Sequence, residues 1–263
     1  MELKDKVVVI TGAGSGIGHA MAVRFKQEGA KHIVAVDINK ENVQATADSL
    51  GCHAMTADVS SESDMIRVVE ETEANWGPID LFCSNAGVGV ASTLDASNEE
   101  WQKSWDINVM AHVYIARHLV PRMLARGGGY FLITSSAAGL LNQIGGASYG
   151  VTKHAAVGFG EWLAMHYQHR GIKVSMLCPQ AVRTAMTTSA EAQGSAQLQS
   201  ASVDGMMDPQ QVMESVVQGL RDESFLILPH PEVLDYIRGK TANYDRWIGG
   251  MNKLMRSLMG ESN

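Results

Sequence analysis

The chain alternates short apolar runs with longer stretches in which apolar residues recur every three or four positions. Val7-Val8-Val9-Ile10 is apolar and β-branched throughout, the pattern of a strand covered on both faces. His32-Ile33-Val34-Ala35-Val36-Asp37 repeats it and ends on an acid. Between them lies a glycine cluster, Thr11 to Gly18, and then a helical segment through Phe25 to Gly29. This strand–helix–strand unit and the order of elements after it predict an α/β fold of Rossmann type, a doubly wound parallel sheet.

The same reading predicts helices over 41–50 and 61–75 and strands at 53–56 and 81–83. It also predicts one long helix over 98–126, stopped by Gly127-Gly128-Gly129. Strands at 130–133 and 174–177 enclose a helix that begins at Tyr149. The stretch from Pro179 to Asp208 is irregular and polar, and its Ala/Ser/Gln-rich part from Thr187 to Ser202 is too long for a simple connection. It is read as a mobile substrate lid over about 185–208. Phe225 to Leu228 reads as a last strand stopped by Pro229 and Pro231. Beyond it, Tyr244, Trp247, Ile248, Met251, Leu254, Met255, Leu258 and Met259 recur at helical spacing. They predict an amphipathic helix within a C-terminal extension, 229–263, packed on the body or on a sister subunit. Nothing resembles a repeat or a linker, so residues 1–263 read as a single domain.

At 263 residues and 45% hydrophobic, the chain can bury one large core. A formal charge of -7 argues against nucleic acid or an anionic membrane as partner. Cys52, Cys83 and Cys178 are widely spaced and read as reduced thiols, and no metal-binding spacing occurs among the nine histidines. No metal is expected. The segment Met1 to Lys6 runs straight into a strand without an apolar signal region, and no stretch is long enough to span a bilayer. The expectation is a cytoplasmic protein.

Two patterns carry chemistry. The glycine cluster stands directly after a strand and before a helix, where the backbone can approach a pyrophosphate and free N–H groups face it. A dinucleotide is expected there. Asp37, at the tip of the second strand, suits the ribose hydroxyls of the adenosine half and repels a 2′-phosphate. Positions 15 and 38 hold Ser15 and Ile38, not arginine, and although Lys40 follows, NAD is favoured over NADP. The second pattern is Tyr149-Gly150-Val151-Thr152-Lys153. On a helix this places a phenol and an ammonium group on one face, and a neighbouring cation brings a phenol toward the range of a working base.

Together these features resemble the short-chain dehydrogenase/reductase family, in its single-domain branch with a T-G-x-x-x-G-x-G start and a Y-x-x-x-K site. Lys6 to Thr184 carries the match: Thr11-Gly12, Gly16 and Gly18; Asp58-Val59; Asn85-Ala86-Gly87; Asn108; and Ser136, thirteen residues before Tyr149. The resemblance implies Tyr149 as general base or acid and Lys153 as its electrostatic partner and a ribose ligand. It implies Ser136, preferred to Ser135, as donor to the substrate oxygen, and Asn108 as the holder of a relay water. For the cofactor it implies Gly12, Ser15, Gly16, Ile17 and Gly18 at the pyrophosphate, and Asp37 and Ile38 at the ribose. Asp58 and Val59 would flank the adenine, and Asn85, Ala86 and Gly87 would line the strand end. Tyr149, Lys153, Pro179, Val182 and Thr184 would hold the nicotinamide half.

Two departures stand out: Ser84 replaces the first asparagine of N-N-A-G, and Gln180 replaces a glycine after Pro179. A family V-D-G-G-like end is also missing. Met186, Met206, Met207 and Met213 flank the lid and suggest a pliable apolar wall. The activity implied is interconversion of a secondary alcohol and a ketone on a hydrophobic small molecule. Diol dehydrogenation, double-bond reduction and a regulatory cofactor-binding role are the rivals. A homodimer or homotetramer is expected, with the helices from Asn98 and Tyr149 on the shared face.

Overall fold

β1 (Val7–Thr11) is buried at all its positions and lies inside a seven-stranded sheet of a computed structural model that describes residues 1–89, 93–192 and 195–261. The first half of the chain is α1 (Gly16–Gln27), β2 (His32–Asp37), α2 (Lys40–Leu50), β3 (His53–Thr56), α3 (Glu62–Trp76) and β4 (Leu81–Ser84). The second half opens with α4 (Asn98–Trp105), α5 (Ala111–Ala125), β5 (Gly129–Thr134), α6 (Ala138–Leu141) and α7 (Ala147–Tyr167). It continues with β6 (Ile172–Leu177), α8 (Ala185–Ala192), α9 (Ala196–Ala201), α10 (Pro209–Arg221), β7 (Leu226–Ile227), α11 (Glu232–Ala242) and α12 (Tyr244–Leu258).

The strand order is β3-β2-β1-β4-β5-β6-β7, parallel throughout. Because successive strand residues face opposite sides, two cores form. Val9, Phe82 and Phe131 meet α3, α5 and α7 on one face, and Val8, Ile10 and Leu132 meet α1 and α10 on the other. The order of strands reverses between β1 and β4, which opens a crevice at their carboxyl ends.

Three elements differ from the sequence reading. The helix expected over 98–126 starts from a Ser97/Glu100 capping box, but a π-helical turn at Asp106–Met110 divides it into α4 and α5. The wide turn brings the Asn108 side chain against the backbone of Val88, with Val88 N–H donating to Oδ1 at 2.9 Å and Nδ2 donating to the Val88 carbonyl at 3.0 Å. Such a contact is long-range and leaves no periodic trace. The lid region is built from α8 and α9, with Val182 and Met207 bridging at its base. The C-terminal extension is two helices, α11 and α12, rather than one.

Candidate active site

The crevice is organised by Thr11 at the end of β1. Its hydroxyl accepts from the backbone N–H groups of Asn85 at 2.9 Å and Ala86 at 3.1 Å and donates to the Cys83 carbonyl at 3.3 Å. The Asn85 amide in turn donates to the Thr11 carbonyl at 2.9 Å. These bonds lock the tips of β1 and β4 side by side. Gly12 has φ 68°, a left-handed conformation that glycine adopts without strain. A Cβ at Gly18 would lie 2.2 Å from the Gly12 carbonyl oxygen. Gly18 therefore packs beneath the loop, where it lets α1 approach Gly12 closely.

The cleft has a volume of about 400 Å³. Gly12, Ser15, Gly16 and Ile17 form one side of it, Asp37, Ile38, Asp58 and Val59 one end, and Asn85, Ala86 and Gly87 the strand tips. Tyr149, Lys153, Pro179, Val182 and Thr184 close the other end. Ser15 caps α1 without a side-chain cap bond, so its hydroxyl stands at the helix N-terminus beside the free N–H groups. One Asp37 oxygen accepts from Gly14 N–H and the other from Asn39 N–H, both at 2.9 Å, so this carboxylate also pins the glycine loop. An extended dinucleotide fits this cradle: an acidic end for a ribose, a helix N-terminus for the pyrophosphate, and a phenol and ammonium pair at the far end.

Ser136, Tyr149 and Lys153 come together at that far end. Tyr149 lies in the first turn of α7, with its phenol beside the Ser136 side chain, whose hydroxyl accepts from Ala138 N–H at 3.1 Å and donates to the Pro179 carbonyl at 3.4 Å. Burial pushes the phenol above its ordinary value, and the neighbouring Ser136 hydroxyl opposes that shift. Lys153 is buried, donates to the Thr134 carbonyl at 3.1 Å, and is pushed down to about 8 by desolvation. The phenol therefore stands above its ordinary value here, not below it as the pair alone implies, although the Lys153 ammonium lies 5.7 Å from the ring centre. Ser135 is settled by its own bond, donating to the Lys153 carbonyl at 3.0 Å, which leaves Ser136 facing the phenol. Asn108 stands behind the lysine and does not line the cleft. Besides Val88 it donates to the Thr152 hydroxyl at 3.1 Å.

Next to the cleft is a cavity of about 580 Å³ lined by Ala138, Leu141, Ile144, Met186, Leu198, Trp247, Met251 and Leu254. Ser136 and Tyr149 belong to both spaces. Gln180 is also shared. Its φ is not positive, its N–H donates to His230 Nδ1 at 3.2 Å, and its Nε2 donates to Asp204 at 3.0 Å. The side chain is accommodated without backbone strain. Among the four methionines, Met186 reaches the cavity, whereas Met213 is 1% exposed in the core.

Several contributors were not singled out for these roles in the sequence reading: Thr11, Thr134, Val88 and the pair Ser84–His112. The Ser84 hydroxyl is 2.6 Å from His112 Nδ1, which accounts for the departure from asparagine at that position. His112 is fully desolvated and pushed down to about 3, hence neutral behind Lys153. A histidine four residues after Asn108 was the available signal.

Comparison with known proteins agrees with this geometry. The family model described as short chain dehydrogenase matches residues 6–195. Epidermal retinol dehydrogenase 2 of Homo sapiens is 31% identical over 239 residues, covering 85% of this chain and 74% of that protein. Cyclohexanol dehydrogenase of Acinetobacter sp. (strain SE19) is 31% identical over 241 residues, 89% of this chain and 95% of that one. A short chain dehydrogenase/reductase from Burkholderia phymatum, solved in complex with NAD, superposes with a TM-score of 0.84 at 28% identity, over 93% of this chain and 96% of that one. With the glycine loop, the shared seam at Ser136 and Tyr149, and this match in hand, the chain belongs to the short-chain dehydrogenase family.

Proposed function

We propose that the protein interconverts a hydrophobic secondary alcohol and its ketone by hydride transfer with NAD. The observation that carries this reading is the position of Ser136 and Tyr149 on the seam between the polar cleft and the apolar cavity. A carbinol carbon placed at that seam has its oxygen within reach of two hydroxyls, while the rest of the molecule lies in the cavity. When bound, the dinucleotide supplies the hydride acceptor or donor at its nicotinamide ring.

In oxidation Tyr149 takes the hydroxyl proton, and in reduction it returns one to the carbonyl oxygen. Ser136 donates to the same oxygen as charge develops there, in a site that burial has largely dried. Lys153 holds a positive charge behind the phenol. Ser15 and the N-terminus of α1 would take the pyrophosphate, and Asp37 the adenosine ribose. Asp37 without a neighbouring arginine supports NAD over NADP. Relatives named for cyclohexanol and retinol support alcohol chemistry.

The working form is proposed to be a cytoplasmic homodimer or homotetramer. Trp105 on α4 and Val151, Trp162 and Met165 on α7 are large and exposed, and they suit a shared face. Among the described residues no helix is long and apolar enough to cross a membrane. The reading is tested by following NADH absorbance with a panel of secondary alcohols, including hydroxysteroids, aryl alcohols and hydroxy fatty acids. Activity with none of them, for a protein that binds NADH, would overturn it.

A further inference from the structure

The walls of the 580 Å³ cavity are unequal in strength. Ser136, Ala138 and Tyr149 are anchored in the body, whereas Trp247, Met251 and Leu254 come from α12. These three lie at helical spacing on one face and roof the cavity of their own chain. Yet α12 contains no buried residue. The preceding helix, α11, is fastened: Val233 is fully buried, the Tyr236 hydroxyl donates to Asp204 at 2.9 Å, and the Lys240 ammonium donates to the Leu140 carbonyl at 2.7 Å. The chain leaves α11 through Asn243, whose backbone is extended and whose side chain caps α12.

In the middle of α12 stand Gly249 and Gly250. A Cβ at either would meet nothing within 4 Å, and neither has a positive φ. Space and backbone geometry therefore allow alanine at both positions. What the two glycines do is weaken the helix, by roughly tenfold or more together in its helix–coil equilibrium. The weakest helix interior thus lies between the residues that cover the cavity.

We propose that α12 is a substrate-selecting flap. Trp247, Met251 and Leu254 contact the apolar body of the substrate, and the Gly249-Gly250 pair lets the helix loosen to admit it and re-form over it. The inference rests on the alcohol reading above for the reacting group and adds the size class. A cavity of this volume lies within the range of about 300–1,000 Å³ that encloses drug-sized ligands. A substrate large enough to touch both Tyr149 and the roof is a multi-ring or comparably bulky uncharged secondary alcohol. A small alcohol leaves the roof untouched.

The test has two arms. In the first, kcat/KM with NAD is measured for naphthyl methyl carbinol and for isopropanol, in the parent and in Trp247→Ala. The bulky-to-small ratio is expected to fall roughly tenfold or more on losing the aromatic contact. An unchanged ratio overturns the selecting role. The second arm needs no turnover: amide hydrogen exchange is followed along α11 and α12. In the free protein α12 is expected to exchange faster than α11, and to slow when acetonaphthone and NADH are added together. Gly249→Ala/Gly250→Ala is expected to slow it roughly tenfold or more without any ligand. Exchange in α12 as slow as in α11 and indifferent to the ketone overturns the flap. Failure to oxidise either alcohol would count against the alcohol reading instead, and the exchange arm would still decide whether α12 opens.

Discussion

The Lys153 ammonium lies 5.7 Å from the centre of the Tyr149 ring and donates to the Thr134 carbonyl at 3.1 Å. The cation is thus within range of the aromatic face, while the phenol lies beside the Ser136 hydroxyl. One neighbour thus presents a positive charge to the ring, and the other a hydroxyl to its oxygen.

Replacing Tyr149 by phenylalanine keeps the ring and removes the proton. Turnover should fall by roughly 100-fold or more, while NADH affinity, measured by fluorescence titration, stays close to the parent's. Retained turnover would sink the role given to Tyr149.

The buried Lys153 makes stability depend on pH. Its pKa is lowered from 10.5 to about 8, so between these values the unfolded chain binds more protons than the folded one. Stability from this group therefore rises as pH climbs through that window. Cys178, pushed up to about 12 by burial, acts in the opposite sense as pH rises past 9. The readout is accordingly the difference between the parent and Lys153→Met in urea unfolding. It should shift in the parent's favour by about 3 kcal/mol across the window. A flat difference would mean that Lys153 is not titrating below its ordinary value.

Asp37→Ala should lower kcat/KM for NAD by roughly 10-fold to 100-fold, the range for losing hydrogen bonds to a charged group, and should narrow the gap between NAD and NADP. Because Asp37 also holds Gly14 and Asn39, some loss with both cofactors is expected. A parent that already works better with NADP would overturn the cofactor reading.

Asn108→Ala would strip the Val88 N–H and carbonyl of their side-chain partner. A fully buried backbone group left unpaired costs about 1–3 kcal/mol; Val88 is only half-buried at the cleft wall, so the two together should lower stability in urea unfolding by about 2–4 kcal/mol, with a drop in kcat. Unchanged stability would show that the π-turn does not depend on this side chain.

Sedimentation of the parent at micromolar concentration should show a dimer or tetramer, and Trp162→Asp/Met165→Asp should shift it toward monomer by placing charge on the shared face. A parent that is monomeric throughout would remove that face from the proposal.

Much of this protein was legible without its fold. The uninterrupted β-branched run at Val7, the acid at Asp37 and the four-residue step from Tyr149 to Lys153 are short-range facts, and backbone periodicity turns them directly into strands, a loop and a helix face. The order of motifs added Ser136 as the partner of Tyr149. Other features depended on residues far apart in sequence. Asn108 meets Val88 across a π-turn, Ser84 meets His112, and Gln180 is accommodated by His230 and Asp204. The apolar stripe of α12 announced an amphipathic helix, but not which surface it would cover. Only the tertiary structure placed Trp247, Met251 and Leu254 above their own chain's Tyr149, because an apolar face records that burial is favourable and not where the partner surface lies.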